Sequence, residues 1–196
     1  MRQMLTAIVR RGQCRPVMEA ARRAGAPGGT IFYARGTASS TILAALGLGD
    51  GYKDVLVSFM DEEVLDKAIR EIRGGHAKGM LLASPCIEGD EEVPMDCKWR
   101  LVEVICEEGY SEDIMAVARK AGAKGGTVVN AHGTSTPDDV KFFGTPIVPE
   151  KEILMVVMEE DKADAVVKAI EGMEVLRQKG RAVMFTLPVS RFVNLS

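Results

Sequence analysis

The chain of 196 residues contains an internal repeat, and this repeat limits its possible folds more than any other feature. When the sequence is shifted by 97 positions, residues 12–37 align with residues 109–134 without a gap, and thirteen of the 26 pairs are identical. This period is longer than the roughly 20–50 residues of solenoid repeats. The sequence therefore predicts two tandem domains, residues 1–86 and 99–196, joined by an acidic, proline-containing linker over residues 87–98.

Each copy shows the same order of predicted elements. A short β-branched strand comes first, and the helix that follows has apolar residues at i, i+4 and i+7. Gly25 and Gly122 stand where a glycine of positive φ would end that helix. Two strands, a second helix that begins in acidic residues, and a last strand complete the copy. This β-α-β-β-α-β order predicts an α+β fold of two tandem ferredoxin-like domains, each an antiparallel sheet with its helices on one face. The other face needs a cover, so we expect the copies to pair within or between chains.

Composition argues against several functional classes. Lys and Arg total 25 against 28 Asp and Glu, and a net charge of −3 does not suit a nucleic-acid binder with a broad basic surface. No apolar run approaches the roughly 20 residues of a membrane span, and the start of the chain has no leader pattern, so we expect a cytoplasmic protein. The four cysteines lack C-x-x-C spacing and are expected to be reduced and structural. A metal site of Cys86 and Cys97 with His76 or His132 stays an open alternative.

Several motifs of the two copies resemble those of the P-II nitrogen regulatory proteins. They are A-G-A-x-G-G-T after the first helix, G-T after the second strand, a K-[DE]-[VI]-L strand and, in the second copy, Lys179-Gly180-Arg181 with the ending Leu187-Pro188-Val189. The resemblance implies a trimeric, ferredoxin-like signal transducer. Such proteins bind ATP or ADP between neighbouring subunits, often sense 2-oxoglutarate, and dock a mobile loop on a target protein.

The resemblance also assigns nucleotide contacts by position. The two G-T pairs match the start of the family's mobile loop, Gly180-Arg181 matches a phosphate-binding pair, and Arg191 lies within about one position of an arginine that reaches a neighbour's nucleotide. Three cations within five residues beside a glycine suit a polyphosphate, although a solvated basic loop is the alternative. The candidate nucleotide-binding residues are Gly36, Thr37, Gly133, Thr134, Arg177, Lys179, Gly180, Arg181 and Arg191.

The sequence departs from the family in two ways. Met80 follows Gly79 in the first copy, so the phosphate-binding cation is missing there unless Lys78 replaces it. Neither loop contains the Y-[KR]-G-[AS]-x-Y motif that is modified in some members. We therefore do not expect regulatory uridylylation.

The predicted function is that of a P-II-like regulator of nitrogen-related targets whose loops at 36–52 and 133–150 become ordered when ligand binds. We expect ATP or ADP as ligand, with Mg²⁺ only as the nucleotide's counter-ion and 2-oxoglutarate as a second effector. Expected partners are an unknown target protein and further copies of the chain, as a dimer or trimer, without nucleic acid or membrane insertion. No nucleophile–base pair or catalytic carboxylate pair stands out, so we do not expect an enzyme. The alternatives are a ferredoxin-like small-ligand or metal-binding module and a degenerate repeat protein that has lost its ligand.

Overall fold

The structure is a computed structural model of the chain, and it describes residues 1–37, 51–86, 97–133, 141–142, 145–146, 150–178 and 181–195. Thr134, Lys179, Gly180, most of the two predicted loops and linker residues 87–96 lie outside the described residues. The first half consists of β1 (Arg2–Arg10), α1 (Cys14–Arg23), β2 (Thr30–Gly36), β3 (Tyr52–Asp61), α2 (Glu62–Arg73) and β4 (Gly79–Cys86). The second half consists of β5 (Trp99–Glu107), α3 (Ser111–Lys120), β6 (Thr127–His132), β7 (Lys141–Phe142), β8 (Thr145–Pro146), β9 (Glu150–Glu159), α4 (Glu160–Glu171), α5 (Glu174–Arg177), β10 (Ala182–Val189) and β11 (Arg191–Leu195).

The strand order of the two halves is the same. It is β4-β1-β3-β2 in the first half and β10-β5-β9-β6 in the second, and all these pairs are antiparallel. In each half the two long helices, α1 and α2 or α3 and α4, cover one face of the sheet, where separate cores form around Leu56 and Leu154. The predicted ferredoxin-like architecture is therefore confirmed.

The first helix of each half ends as its glycine predicts. Gly25 has a φ of +105°, and the N–H groups of Gly25 and Ala26 donate to the carbonyls of Arg22 and Ala21. This is a Schellman motif, in which a residue of positive φ lets the chain turn back on the last carbonyls. Gly122, with a φ of +113°, repeats the arrangement at the end of α3.

The two halves join into one sheet of nine strands. The edge strands β2 and β6 pair over three residues, from Ala34 opposite Val129 to Gly36 opposite Thr127. At the other end, only Ser190 separates β10, which pairs with β5, from β11, which pairs with β4 of the first half. The Ser190 N–H donates to the Ala83 carbonyl at 2.8 Å. The sheet is thus closed by its own chain into a barrel with the helices outside. Strand β11 was not among the elements predicted from the sequence.

A third core fills the interior of this barrel. Side chains alternate between the two faces of a strand, so each sheet has an inward apolar face besides the one that its helices cover. The inward residues come from both halves and include Ile8, Val55, Leu82, Leu101, Val129 and Met155. The expectation that the copies cover each other's sheets is met within one chain. No helix of the described residues is long and apolar enough to cross a membrane.

Candidate functional site

One end of the barrel opens into a cavity of about 930 Å³ between the two halves. The first half contributes the end of β1, the start of β3 and Met80 of β4. The second half contributes residues 124–127, Trp99 of β5 and part of β9. This volume lies within the roughly 300–1,000 Å³ that is usual for small-molecule sites. The cavity is therefore the candidate ligand site.

The inner wall of the cavity is apolar. Trp99, the single tryptophan of the chain, stacks on Phe192 of β11 with ring centroids 4.2 Å apart and an interplanar angle of 23°. Four aliphatic or thioether side chains complete this wall: Ile8, Met80, Met155 and Val157. A wall of this kind accommodates the apolar or aromatic body of a ligand.

The mouth of the cavity is cationic. Arg10, Arg11, Lys53 and Lys124 line it, and no carboxylate is found among its described lining residues. Arg10 and Lys53 lie directly opposite each other in the β1–β3 register. Two like charges at such positions destabilise the pairing of the two strands unless an anion lies nearby. Neither side chain forms an ion pair or hydrogen bond with the part of the chain that the structure describes. The mouth is therefore suited to an anion.

Arg11 differs from the other three cations because protein groups already surround it. Its Nε lies 3.1 Å from Asp54 Oδ1, and its guanidinium lies 4.9 Å from the ring centroids of both Tyr33 and Tyr52. Asp54 is 4% exposed and also accepts the Gly12 N–H at 2.7 Å. Arg11 thus neutralises a buried carboxylate, which leaves Arg10 and Lys53 for a ligand. Lys124 is also available, although its charge already acts on Glu159 nearby.

The seam between the halves beside the cavity depends on Thr37 and Gly126. The Thr37 N–H donates to the Gly126 carbonyl, and the Gly126 N–H donates to Thr37 Oγ1, both at 2.9 Å. A Cβ on Gly126 would lie 2.8 Å from Leu154 Cδ1 and 3.1 Å from the Met155 carbonyl. The third glycine of the A-G-A-x-G-G-T motif is therefore needed for the close packing of this segment against β9.

A buried carboxylate in the second half corresponds to Asp54. Glu152 is 5% exposed and accepts the N–H groups of Gly109 at 3.0 Å and Ser111 at 3.3 Å. Its cation comes from the other half, since Arg35 Nη2 lies 3.1 Å from Glu152 Oε1 and Nη1 contacts Glu112. Burial alone would raise the pKa of Glu152, but hydrogen bonds from Ser111, Arg35 and Gly109 together hold that pKa below its ordinary value.

Two predicted arginines lie away from the cavity. Arg181 donates to the Tyr110 hydroxyl at 3.0 Å and lies 3.9 Å from Glu107, at the far end of β5 from Trp99. The eight residue steps between Trp99 and Glu107 correspond to about 26 Å of strand. Arg191 contacts Asp66 at 3.5 Å and Glu62 at 3.8 Å, both on α2.

The predicted nucleotide-binding residues that the structure describes thus lie in separate places. Gly36 and Thr37 line the cavity. Gly133 follows the end of β6 and lies at the same end as Arg181, while Arg177 is exposed at the end of α5. Within one chain the structure does not bring the two groups together, so their use in a single site stays a prediction that needs a neighbouring chain.

Four cavity residues were not predicted from the sequence: Arg10, Lys53, Lys124 and Trp99. Alternation along β1 and β3 contains part of this information, because it places Arg10 on the face of Ile8 and Lys53 on that of Val55. Sequence alone does not show that these two faces turn toward the second half. The described residues contain no group of three or more His, Cys, Asp or Glu arranged to hold a metal ion.

The architecture defines an α+β protein built from two ferredoxin-like units, with a ligand-sized cavity at their junction. The family model of the nitrogen regulatory protein P-II matches residues 99–196, which is half of the chain. The chain therefore belongs to the P-II family and is a regulatory ferredoxin-like protein, as the resemblance implied. The first half has the same element order but lies outside the matched residues, so a gene duplication remains an inference from the repeat.

Solved structures similar to the chain over nearly its full length have low sequence identity. An unknown protein from Galdieria sulphuraria has 16% identity and a TM-score of 0.32, with 96% of this chain and 98% of that one covered. A microcompartments protein from Desulfitobacterium hafniense has 12% identity and a TM-score of 0.30, with coverages of 97% and 96%. A glycine cleavage system transcriptional repressor has 10% identity and a TM-score of 0.26, with coverages of 98% and 97%. No curated protein matches the sequence.

Proposed function

We propose that the chain is a P-II-like regulator, not an enzyme, that binds ATP or ADP between its two halves. The observation that supports this most is the cavity of about 930 Å³, which combines an apolar inner wall with cations from both halves. Membership of the P-II family supports the regulatory role. The loops at 36–52 and 133–150 would then report the bound ligand to a nitrogen-related target protein.

The chemistry of the cavity matches the two parts of a nucleotide. A purine is planar and mostly apolar, which suits the wall formed by Trp99 and Phe192. Phosphates carry several negative charges, which suit the mouth, where Arg10 and Lys53 have no side-chain partner among the described residues. Each charge-assisted contact of this type contributes about 1.5–3 kcal/mol.

Two placements compete for the phosphates. One is the cavity, which contains Gly36 and Thr37 of the predicted set. The other is the opposite end of the barrel, with Gly133 and Arg181 and, by the resemblance, Thr134, Lys179 and Gly180. That end would need a further copy of the chain as its second wall, with Arg177 or Arg191 approaching from a neighbour in a homo-oligomer.

Titration with ATP and ADP tests the proposal. Because Trp99 is the single tryptophan and lines the cavity, its fluorescence reports occupation of this site directly. We expect saturable changes in heat and in fluorescence with ATP or ADP, and weaker changes with adenosine, which lacks the phosphates. Absence of both changes at millimolar nucleotide would contradict nucleotide binding, and light scattering of the same samples would establish the oligomeric state.

The cavity also supports a second candidate, the small-ligand module. An apolar wall with a cationic mouth accommodates any organic anion of suitable size, with or without phosphates. This candidate predicts that an aromatic carboxylate such as indole-3-acetate changes the Trp99 fluorescence while ATP and ADP do not. Nucleotide binding predicts the reverse order of affinities.

A further inference from the structure

The two ends of the barrel occupy equivalent places in the repeat but differ in charge. The offsets of 97 and 98 relate Arg10 to Glu107 and Lys53 to Lys151. The sheet registers agree with this relation, because Arg10 lies opposite Lys53 in one half and Glu107 lies opposite Lys151 in the other. A pair of like charges at one end therefore corresponds to a pair of opposite charges at the other.

Two further charged positions differ in the same direction. Arg11 corresponds to Glu108, and Lys124 corresponds to Pro27, so the opposite end gains a carboxylate and loses an ammonium group. Arg181 differs in the other direction, because it adds a cation to the opposite end where the first half has Met80. It lies 3.9 Å from Glu107 and is thereby partly neutralised. An anion entering there meets carboxylates, whereas an anion entering the cavity meets only cations among the described lining residues.

The orientation of the strands directs the cavity cations inward. Arg10 alternates in phase with Ile8, and Lys53 in phase with Val55, and both apolar residues belong to the interior core. Lys124 reaches the same mouth from the second half, directly before the Gly125-Gly126 pair that lines the cavity. Three positive charges thus converge on one mouth from both halves of the chain.

We propose that the chain binds one polyanion, at the cavity end, through Arg10, Lys53 and Lys124, and that the opposite end has lost this capacity. The proposal rests on the proposed function for the location of the site, and it adds the contact residues and the number of ligands. The ligand class is an anion with at least two adjacent negative charges, such as the phosphate chain of a nucleotide. Binding of that anion removes the repulsion between Arg10 and Lys53.

Calorimetric titration of the full chain with ATP and with sodium triphosphate tests this assignment. The variants are Arg10→Gln, Lys53→Gln and Lys124→Gln, and the matched controls at the equivalent end are Lys151→Gln and Arg181→Gln. We expect one ATP per chain, an affinity for both probes at least about tenfold lower in each of the first three variants, and a change within about twofold in the controls. Arg10→Lys keeps the charge and is expected to retain binding within about threefold, which separates loss of charge from loss of fold.

The outcomes separate this proposal from the proposed function. If ATP binds and only Arg181→Gln weakens it, or if two ATP bind per chain, the assignment is overturned while nucleotide binding stands. If Lys53→Gln weakens triphosphate binding but ATP binds no more tightly than triphosphate, the assignment of the contact residues holds. The proposed binding of the adenine ring by the apolar wall is then overturned. If neither probe binds, both are overturned.

Discussion

Replacing Arg35 tests how the first half holds the second. This side chain lies on β2 but forms its ion pairs with Glu152 and Glu112 across the seam. Glu152 also accepts hydrogen bonds from the N–H groups of Gly109 and Ser111, and these bonds fix the chain just before α3. The variant Arg35→Met keeps the length of the side chain and removes its charge. A buried carboxylate then remains without its cation.

The structure gives the size of the expected effect. Removing one partner of a buried ion pair costs about 3–5 kcal/mol, and losing a hydrogen bond to a charged group costs about 1.5–3 kcal/mol. The Arg35 side chain keeps 28% exposure while that of Glu152 keeps 6%, so water replaces part of the lost interaction. We expect a loss of about 2 kcal/mol, which corresponds to a Tm lower by about 4–8 °C for a chain of this length.

Urea denaturation at pH 7 measures this difference. The control is Arg23→Met, because Arg23 pairs with Glu71 at 3.3 Å while the two side chains remain 63% and 49% exposed. Such a surface pair contributes about 0–1 kcal/mol. In a double-mutant cycle, Glu152→Gln is expected to remove much of the effect of Arg35→Met. Equal losses in Arg35→Met and Arg23→Met, or a coupling energy of zero, would refute the reasoning.

Four further predictions follow from individual residues. Burial raises the pKa of Glu103 above its unfolded value of 4.5. Ionisation of Glu103 therefore lowers the stability of the fold as pH rises through the folded pKa. We expect Glu103→Gln to be more stable than wild type at pH 7 in urea titrations. The lowered pKa of Glu152 acts with the opposite sign: its contribution is present above pH 4.5 and lost as pH falls through the folded pKa, which acid titration of wild type against Glu152→Gln measures. Gly79→Ala is expected to lower the free energy of unfolding by at least about 3 kcal/mol, because the new Cβ would lie 2.1 Å from the Ile8 carbonyl oxygen at a φ of +150°. The control is Gly12→Ala, where φ is +85° and the space is open, and its expected loss is about 1–2 kcal/mol. Thermal unfolding measures both. Burial raises the pKa of Cys14 to about 12 and of Cys106 to about 11, so both thiols are expected to react with a thiol reagent at pH 8 only after unfolding.

The local parts of the fold could be predicted because the responsible residues lie close together in sequence. Gly25 and Gly122 end their helices by a conformation that glycine adopts readily, and acidic residues mark the start of α2 and α4. The repeat allowed each assignment to be checked against a second copy. Agreement between propensity, apolar periodicity and repeat is what makes such local predictions reliable.

The long-range parts could not be predicted from the same information. Strand β11 has an apolar pattern in Phe192, Val193 and Leu195, but its partner β4 lies more than 100 residues earlier. The cationic mouth likewise depends on which ends of the two sheets meet, and sequence spacing does not show that Arg10 and Lys124 share a cavity. The resemblance directed attention to Arg181, which the structure places beside Glu107 and Tyr110.

Joining two copies in one chain gives each end of the barrel its own residues. In a symmetric dimer of identical copies, every interface residue occurs twice, so both ends must have the same charge. Here Arg35 crosses the seam to Glu152, while His132, at the equivalent position of the second half, places its Nδ1 3.2 Å from the Gly133 carbonyl. Asp54 receives its cation from Arg11 of its own half instead. The two buried carboxylates are thus neutralised differently, Glu152 by an arginine of the other half and Asp54 by an arginine of its own half. The charges at the two ends of the barrel are therefore able to differ. A single chain is able to combine one anion-binding end with one end that serves another contact.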